Sequence, residues 1–411
     1  MQGLDKNMYQ FALLVLVNAF VGAMLGLERS IMPNFGKQEF GINANTALLS
    51  FIIAFGISKS LSNYAVAQLS KKLSRKTILI IGWIAALPVP FLLMYAPSWN
   101  WVIAANVLLG INQGLAWSAT VIMKIDLVGS KNRGLAMGIN EFAGYLSVGL
   151  ATWLASSIAL DYGYAFFPFI PGVIFSIAGL LTTVFLVKDT THFVNAESLT
   201  SKVPLLQNVW KETTWKHQNL GSVTINGLVN NLNDGVVWGL LPVLLMQKGY
   251  GIGQIGIIAG IYPAVWGISQ LFTGKLGDTH CKKQIITSGM FLQTLAIIIL
   301  ALSGSLSFLI FAAVLLGFGT ALVYPNFLSV VAEGTHPTQR AESLSIFRLW
   351  RDSGYVFGAI LSGILADSFG IANALFIVAA ITAAAGMIAN RRMCCTNKLF
   401  WKSDYCVPVE I

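Results

Sequence analysis

Gly274-Lys-Leu-Gly-Asp-Thr-His-Cys-Lys-Lys283, set against Ala67-Gln-Leu-Ser-Lys-Lys-Leu-Ser-Arg-Lys76, decides the fold. Each stretch is a short polar loop between two long apolar runs, and the two lie 207 residues apart, counted from Ala67 to Gly274. The same offset carries Val107-Leu108-Leu109-Gly110 onto Val314-Leu315-Leu316-Gly317, Asp126 onto Glu333, and Arg133 onto Arg340. One such match is chance; four at one offset, each at the same kind of helix boundary, argue for two homologous halves.

The chain as a whole is 55% hydrophobic and only 10% charged, with a mean hydropathy of +0.70. A soluble domain carries about a quarter charged residues, so the chain reads as an all-α polytopic membrane protein. Apolar runs of about twenty residues, the length that crosses a hydrocarbon core of roughly 30 Å, fit twelve times. They are read at 9–33, 44–69, 77–95, 100–123, 134–158, 163–187, 218–246, 252–273, 284–303, 307–331, 340–366 and 371–390. The first begins too late and runs too long for a cleaved signal peptide and is read as a retained helix. The expected organisation is a six-helix bundle over 1–187, a cytoplasmic linker over 188–217, a second six-helix bundle over 218–393 and a cytoplasmic tail over 394–411. Two parallel six-helix repeats define a transporter architecture with its substrate site near the midplane.

An even number of spans puts both termini on one side. That side collects Lys71, Lys72, Arg75, Lys76, Lys124, Lys131, Arg133, Lys282, Lys283, Arg391 and Arg392, against little more than Lys37 and Lys248 opposite. The positive-inside rule makes it cytoplasmic. The net charge of +9 is therefore a topology signal, and no nucleic-acid partner is expected. Cys281, Cys394, Cys395 and Cys406 all fall on this side, where disulfides are not expected, and the Cys394–Cys395 spacing matches no metal site.

At the two quoted loops the chain resembles the major facilitator superfamily, whose signature between the second and third helices, and again between the eighth and ninth, reads roughly G-x-L-A-D-R-x-G-R-K. Gly274, Leu276, Asp278, Lys282 and Lys283 match it well. In the first copy Leu69, Arg75 and Lys76 keep their places, while Ala67, Lys71 and Ser74 replace two glycines and the aspartate. The resemblance spans the whole chain and implies lipid-facing third, sixth, ninth and twelfth helices; those spans contain no Asp, Glu, Lys or Arg in their interiors. An aspartate at a helix end can pair with an arginine or cap another helix. Asp126, Arg133, Asp278, Glu333 and Arg340 are thus a candidate cytoplasmic latch, or else interfacial charges that orient helices.

Charges within the spans cost a few kcal/mol or more each, and should face the bundle interior, water or a partner. They are Glu28, Arg29, Lys59, Glu141, Asp234, Arg348, Arg351 and Asp352. Glu28 and Arg29 lie near the outer end, within snorkelling reach. Glu141 and Arg348 are equivalent under the 207-residue shift and sit roughly 10 to 12 Å deep, which predicts an ion pair between the halves. Arg348, Arg351 and Asp352 share one helix face, and Lys59 and Asp234 reach a similar level. Asn226, Asn230, Asn231, Asn233 and Asp234 form a polar run, and Tyr262, Trp266 and Gln270 a stripe able to hold a ligand or simply to pack.

Lys59, Asn230, Asp234, Tyr262, Trp266, Gln270, Tyr324, Arg351 and Asp352 are therefore the substrate-binding candidates. Glu141, Asp234 and Arg348 are the candidates for proton coupling or gating, since all four histidines fall in loops. No phosphate loop, metal-ligand spacing or nucleophile elbow occurs, so neither an enzyme, a cofactor nor a metal is expected. The expected function is secondary active transport of a small polar or anionic solute by alternating access, coupled to protons. The expected setting is a functional monomer in the lipid bilayer of a bacterial inner membrane. A non-transporting receptor or scaffold on the same fold is the alternative.

Overall fold

The computed structural model describes residues 4–128, 133–191, 203–395, 398–403 and 406, and leaves the side chains of Arg133 and Asp278 undescribed. Among the described residues the main helices follow in chain order. They are α1 (Leu4–Arg29), α2 (Ser50–Leu69), α3 (Arg75–Ala86), α4 (Trp99–Val128), α5 (Arg133–Tyr162), α6 (Ile170–Phe185), α7 (Gln218–Gln247), α8 (Ile252–Thr279), α9 (Lys282–Leu302), α10 (Leu306–Glu333), α11 (Pro337–Phe369) and α12 (Ile371–Arg392). Hydrocarbon offers the backbone no hydrogen bonds, so the apolar runs must satisfy their own amides as helices.

The breaks have local causes. Pro33 starts the short helix Met32–Phe40 after α1, and Pro88 and Pro90 interrupt α3 before its continuation Val89–Met94. Gly249 (φ 85°) and Gly370 (φ 84°) turn the chain between α7 and α8 and between α11 and α12, in a region that only glycine enters without strain. Nδ1 of His217 and of His336 caps the first turns of α7 and α11.

Ten described helices are long and apolar enough to cross a membrane; α2 and α11 have the length but not the hydropathy. They are the helices that carry Lys59, Arg348, Arg351 and Asp352, and they pack on each other across the two halves. The other inter-half seam is α5 on α8. α3, α6 and α12 are less than half buried, as their uncharged interiors imply, but α9 is 56% buried, no different from α5, α8 and α10. α9 thus has a more interior place than the sequence suggested, because Gln293 on it serves α7.

The internal repeat recurs atom by atom. α1 packs on α5 and α2 on α4, as α7 packs on α11 and α8 on α10. Gly110 lies against Phe55, Ser58 and Lys59, and Gly317 against Tyr262, Val265 and Trp266, the same three positions shifted by 207. A Cβ at Gly317 would fall 2.5 Å from the Tyr262 carbonyl oxygen, so a missing side chain sets the approach of these helices.

Two expectations fail at the Lys/Arg-rich end. Lys124 is not a loop residue: it is wholly buried in α4, and its Nζ donates to Asn140. The cysteines are paired, Cys281 to Cys395 and Cys394 to Cys406. The first pair spans 114 residues and forms because the tail folds back on the α8–α9 loop. There Cys281 N donates to Lys398 O, Phe400 N donates to Gln284, and Phe400 stacks on His280. No sequence spacing foreshadows that return.

Candidate functional site

α1 and α7 meet through one buried ion pair. Arg29 donates through both terminal nitrogens to Asp234 at 2.5 and 2.8 Å. Tyr355 of α11 donates its hydroxyl to the same carboxylate at 2.5 Å, and the Arg29 guanidinium lies 5.2 Å from the Trp238 ring centre. Arg29 therefore does not snorkel; it crosses between the halves. Its neighbour Glu28 turns the other way, into a cavity of about 10 Å³ with Met24, Val89 and Phe169, with Asn106 as its neighbouring polar side chain.

A second network runs below it through four helices. Arg348 (α11) donates to Ser118 Oγ (α4) at 2.6 Å, Ser118 donates to Asn63 Oδ1 (α2) at 2.6 Å, and Asn63 donates to Asp352 (α11) at 2.5 Å. Asp352 also accepts from Asn231 (α7) at 2.9 Å and pairs with Arg351 at 3.2 Å. Lys59, only 5% exposed, makes no hydrogen bond or ion pair among the described residues; its ammonium sits 5.3 and 5.0 Å from the Phe55 and Tyr355 rings.

Aromatic rings fill the centre. Tyr145 (α5) stacks on Trp266 (α8) with centroids 3.5 Å apart, and Trp117, Tyr262 and Tyr324 pack around them. Arg351 donates to Tyr145 Oη at 3.3 Å and lies 4.2 Å from the Tyr324 ring centre. Glu141 Oε1 accepts from Trp117 Nε1 at 3.0 Å and from Asn140 at 2.9 Å. Around these rings several buried polar atoms have no hydrogen-bond partner among the described residues: Glu141 Oε2, Trp266 Nε1, Arg351 Nε and both polar atoms of Gln270. Buried polar atoms are nearly always satisfied, so a cluster of orphans among rings marks a place where a solute can supply the missing bonds.

The predicted Glu141–Arg348 pair is not formed in this structure. The two side chains bind consecutive residues of α4, Trp117 and Ser118, where a π-helical turn over Gln113–Trp117 hands over to regular helix; such turns concentrate at functional sites. Asn230 leaves the site. It accepts from Gln293 at 2.9 Å and, with Asn233 and Thr382, ties α7 to α9 and α12, so Asn231 takes the place facing Asp352. Asn63, Tyr145 and Tyr355 went unnoticed although each follows Lys59, Glu141 or Arg351 by four residues, one helical turn.

The described pairs of the candidate latch lie within each half. Arg75 donates to Asp126 at 2.5 Å and Lys282 to Glu333 at 3.0 Å, the same pair repeated at the 207-residue offset. Arg340 donates to the Ala332 carbonyl. Lys131 and the side chains of Arg133 and Asp278 lie outside what the structure describes. Among the described residues, a contact joining the halves lies at the opposite end: Asp367 accepts from the amides of Asn45 and Thr46 at 2.7 and 3.0 Å and from their side chains at 2.9 and 2.7 Å.

Two pseudo-repeated helix bundles around a buried polar and aromatic centre define a carrier. The model of the Major Facilitator Superfamily matches residues 11–217 and 223–393, and the chain belongs to that superfamily of secondary membrane transporters. It is 22% identical to the proton-coupled antiporter flippase LtaA of Staphylococcus saprophyticus, over 92% of each chain. It is 26% identical to the fosmidomycin resistance protein of Escherichia coli over 40% of each. Among solved structures, the human organic anion transporter MFSD10 superposes with a TM-score of 0.71 at 14% identity, covering 93% of this chain and 99% of that one. A POT family transporter in complex with a thioalcohol-conjugated peptide gives 0.74 at 11%, covering 92% and 94%. At such identities the likeness is one of fold.

Proposed function

We propose that the protein moves a small polar or anionic solute by alternating access, in exchange for or together with protons. The observation that carries this reading is the set of orphaned polar atoms on Glu141, Trp266, Gln270 and Arg351, walled by Tyr145 and Tyr324. Arg351 and the unpaired Lys59 supply positive charge for an anionic group, and the ring faces take the apolar part of the solute. Arg348 and Asp352 hold the arginine face in place.

Glu141 is the proton carrier in this reading, because one of its oxygens is unbonded and the other is only hydrogen-bonded. Asp234, the other candidate, is occupied as the counter-ion of Arg29 and serves to gate. The name of LtaA, a proton-coupled antiporter, supports proton exchange. The loop charges favour cytoplasmic termini, and the bacterial relatives favour an inner membrane. The bundles over 1–187 and 218–393 would rock about the α2–α11 and α5–α8 seams as a monomer.

Counterflow in proteoliposomes tests this. Radiolabelled organic anions should exchange faster with a pH gradient than without, Glu141→Gln should abolish that difference, and Arg351→Ala should reduce exchange at least about tenfold, as the loss of one charge-assisted contact would. Unchanged exchange in Arg351→Ala would remove the centre from the transport path.

A further inference from the structure

A second polar cavity, of about 120 Å³, lies far from the central rings at the Lys/Arg-rich end, where the starts of α7 and α9 meet the end of α10. It is lined by His217, Lys282, Lys283 and Glu333, and Cys394 of the returning tail closes one wall. Lys283 is only 5% exposed, yet its ammonium has no hydrogen bond or ion pair among the described residues. On the wall of this cavity an unpaired ammonium is open to an anion. The neighbouring Lys282 pairs with Glu333 at 3.0 Å, whose other oxygen accepts from Ser329 at 3.0 Å, and the Lys282 ammonium keeps further donors for a ligand.

His217 adds a third donor by a definite route. Its Nδ1 accepts the backbone amides of Asn219 and Leu220, so the ring proton resides on Nε2. Burial lowers the His217 pKa, against a smaller opposing effect of Glu212, and the ring stays a neutral donor at physiological pH. The wall that Cys394 provides is fixed twice, by the Cys394–Cys406 disulfide and by the Cys394 amide donating to Asn219 Oδ1 at 3.1 Å.

We propose that this cavity binds a phosphate-bearing anion, held by Lys283 and Lys282 with the His217 Nε2–H as third donor. Donors converging from two helix starts on a small polar space match the tetrahedral oxygens of phosphate. A free phosphate group and a phospholipid headgroup share that chemistry, and α9 begins where headgroups lie. The inference stands apart from the transport reading, since none of these residues belongs to the central site.

The test uses the full chain, purified and delipidated in neutral detergent, with thermal unfolding read by tryptophan fluorescence. Inorganic phosphate is titrated against chloride at equal ionic strength, and phosphatidylglycerol against phosphatidylcholine in mixed micelles. A stabilisation by phosphate identifies a free-anion site, and one seen only with phosphatidylglycerol a headgroup site. Lys283→Gln should bind the active probe at least about tenfold more weakly. Lys71→Gln, on an exposed lysine of the equivalent loop, should respond as wild type does. Equal shifts in wild type and Lys283→Gln, or no shift with either probe beyond its control, would overturn the proposal. The wild-type comparison decides even if Lys283→Gln does not fold.

Discussion

Gln270 and Arg29 show how differently two buried polar residues can behave. Both polar atoms of the Gln270 amide are unpartnered, so replacing it with Leu removes an unmet hydrogen-bonding demand. Stability should hold or rise, while exchange of the solute falls several-fold. A drop in melting temperature with transport intact would make Gln270 a packing residue. Arg29 is the reverse case, because its loss strands Asp234 in the bundle. Arg29→Ala should cost about 3 to 5 kcal/mol, and the double variant Arg29→Ala with Asp234→Asn less than the single one. Thermal unfolding of the cycle decides, and additive costs would mean that the pair contributes nothing.

At the scale of elements, α5 and α8 run against each other along most of their length. A Cβ at Gly149 would fall 2.6 Å from the Gly260 carbonyl oxygen, and one at Gly260 would fall 2.9 Å from that of Gly149. Gly149→Val should therefore push the seam apart, at a cost of about 1 to 3 kcal/mol for an overpacked contact. Thermal unfolding of the parent and of Gly149→Val measures that cost. An unchanged melting temperature would show that the helices have room to spare.

For the whole molecule, the contact that counts is Asp367 across to Asn45 and Thr46. Burial alone would raise the Asp367 pKa, but the hydrogen bonds from Thr46 and Asn45 outweigh it and hold it below the usual carboxylate range. The sealing contribution is thus fully present above the ordinary aspartate value of about 3.9 and is lost as pH falls through the depressed value. Asp367→Ala should open this end at neutral pH. A cysteine placed at Leu49, which is buried against Gly239 of the other half, should then react several-fold faster with an impermeant maleimide. Equal reactivity at neutral pH would place the seal elsewhere.

How much was legible follows from the range of each interaction. Span length, the 207-residue repeat and the uncharged interiors of α3, α6 and α12 are set by composition along the chain, because hydrocarbon forces each apolar run into its own helix. The level of Lys59, Asp234, Arg351 and Asp352 was equally readable, since helical rise converts sequence number into depth. Partners were not. Glu141 and Arg348 are symmetry-equivalent and oppositely charged, yet Arg29 met Asp234, because pairing depends on the rotation of helices packed from different halves. Asn231 in place of Asn230, Lys124 in the core, the tail disulfides and the Asp367 seal likewise depend on which faces meet. The sequence by itself determined the helices, their depth and their repeat; only the tertiary structure decided which side chains touch, because burial and pairing are properties of two surfaces and one chain segment specifies only its own.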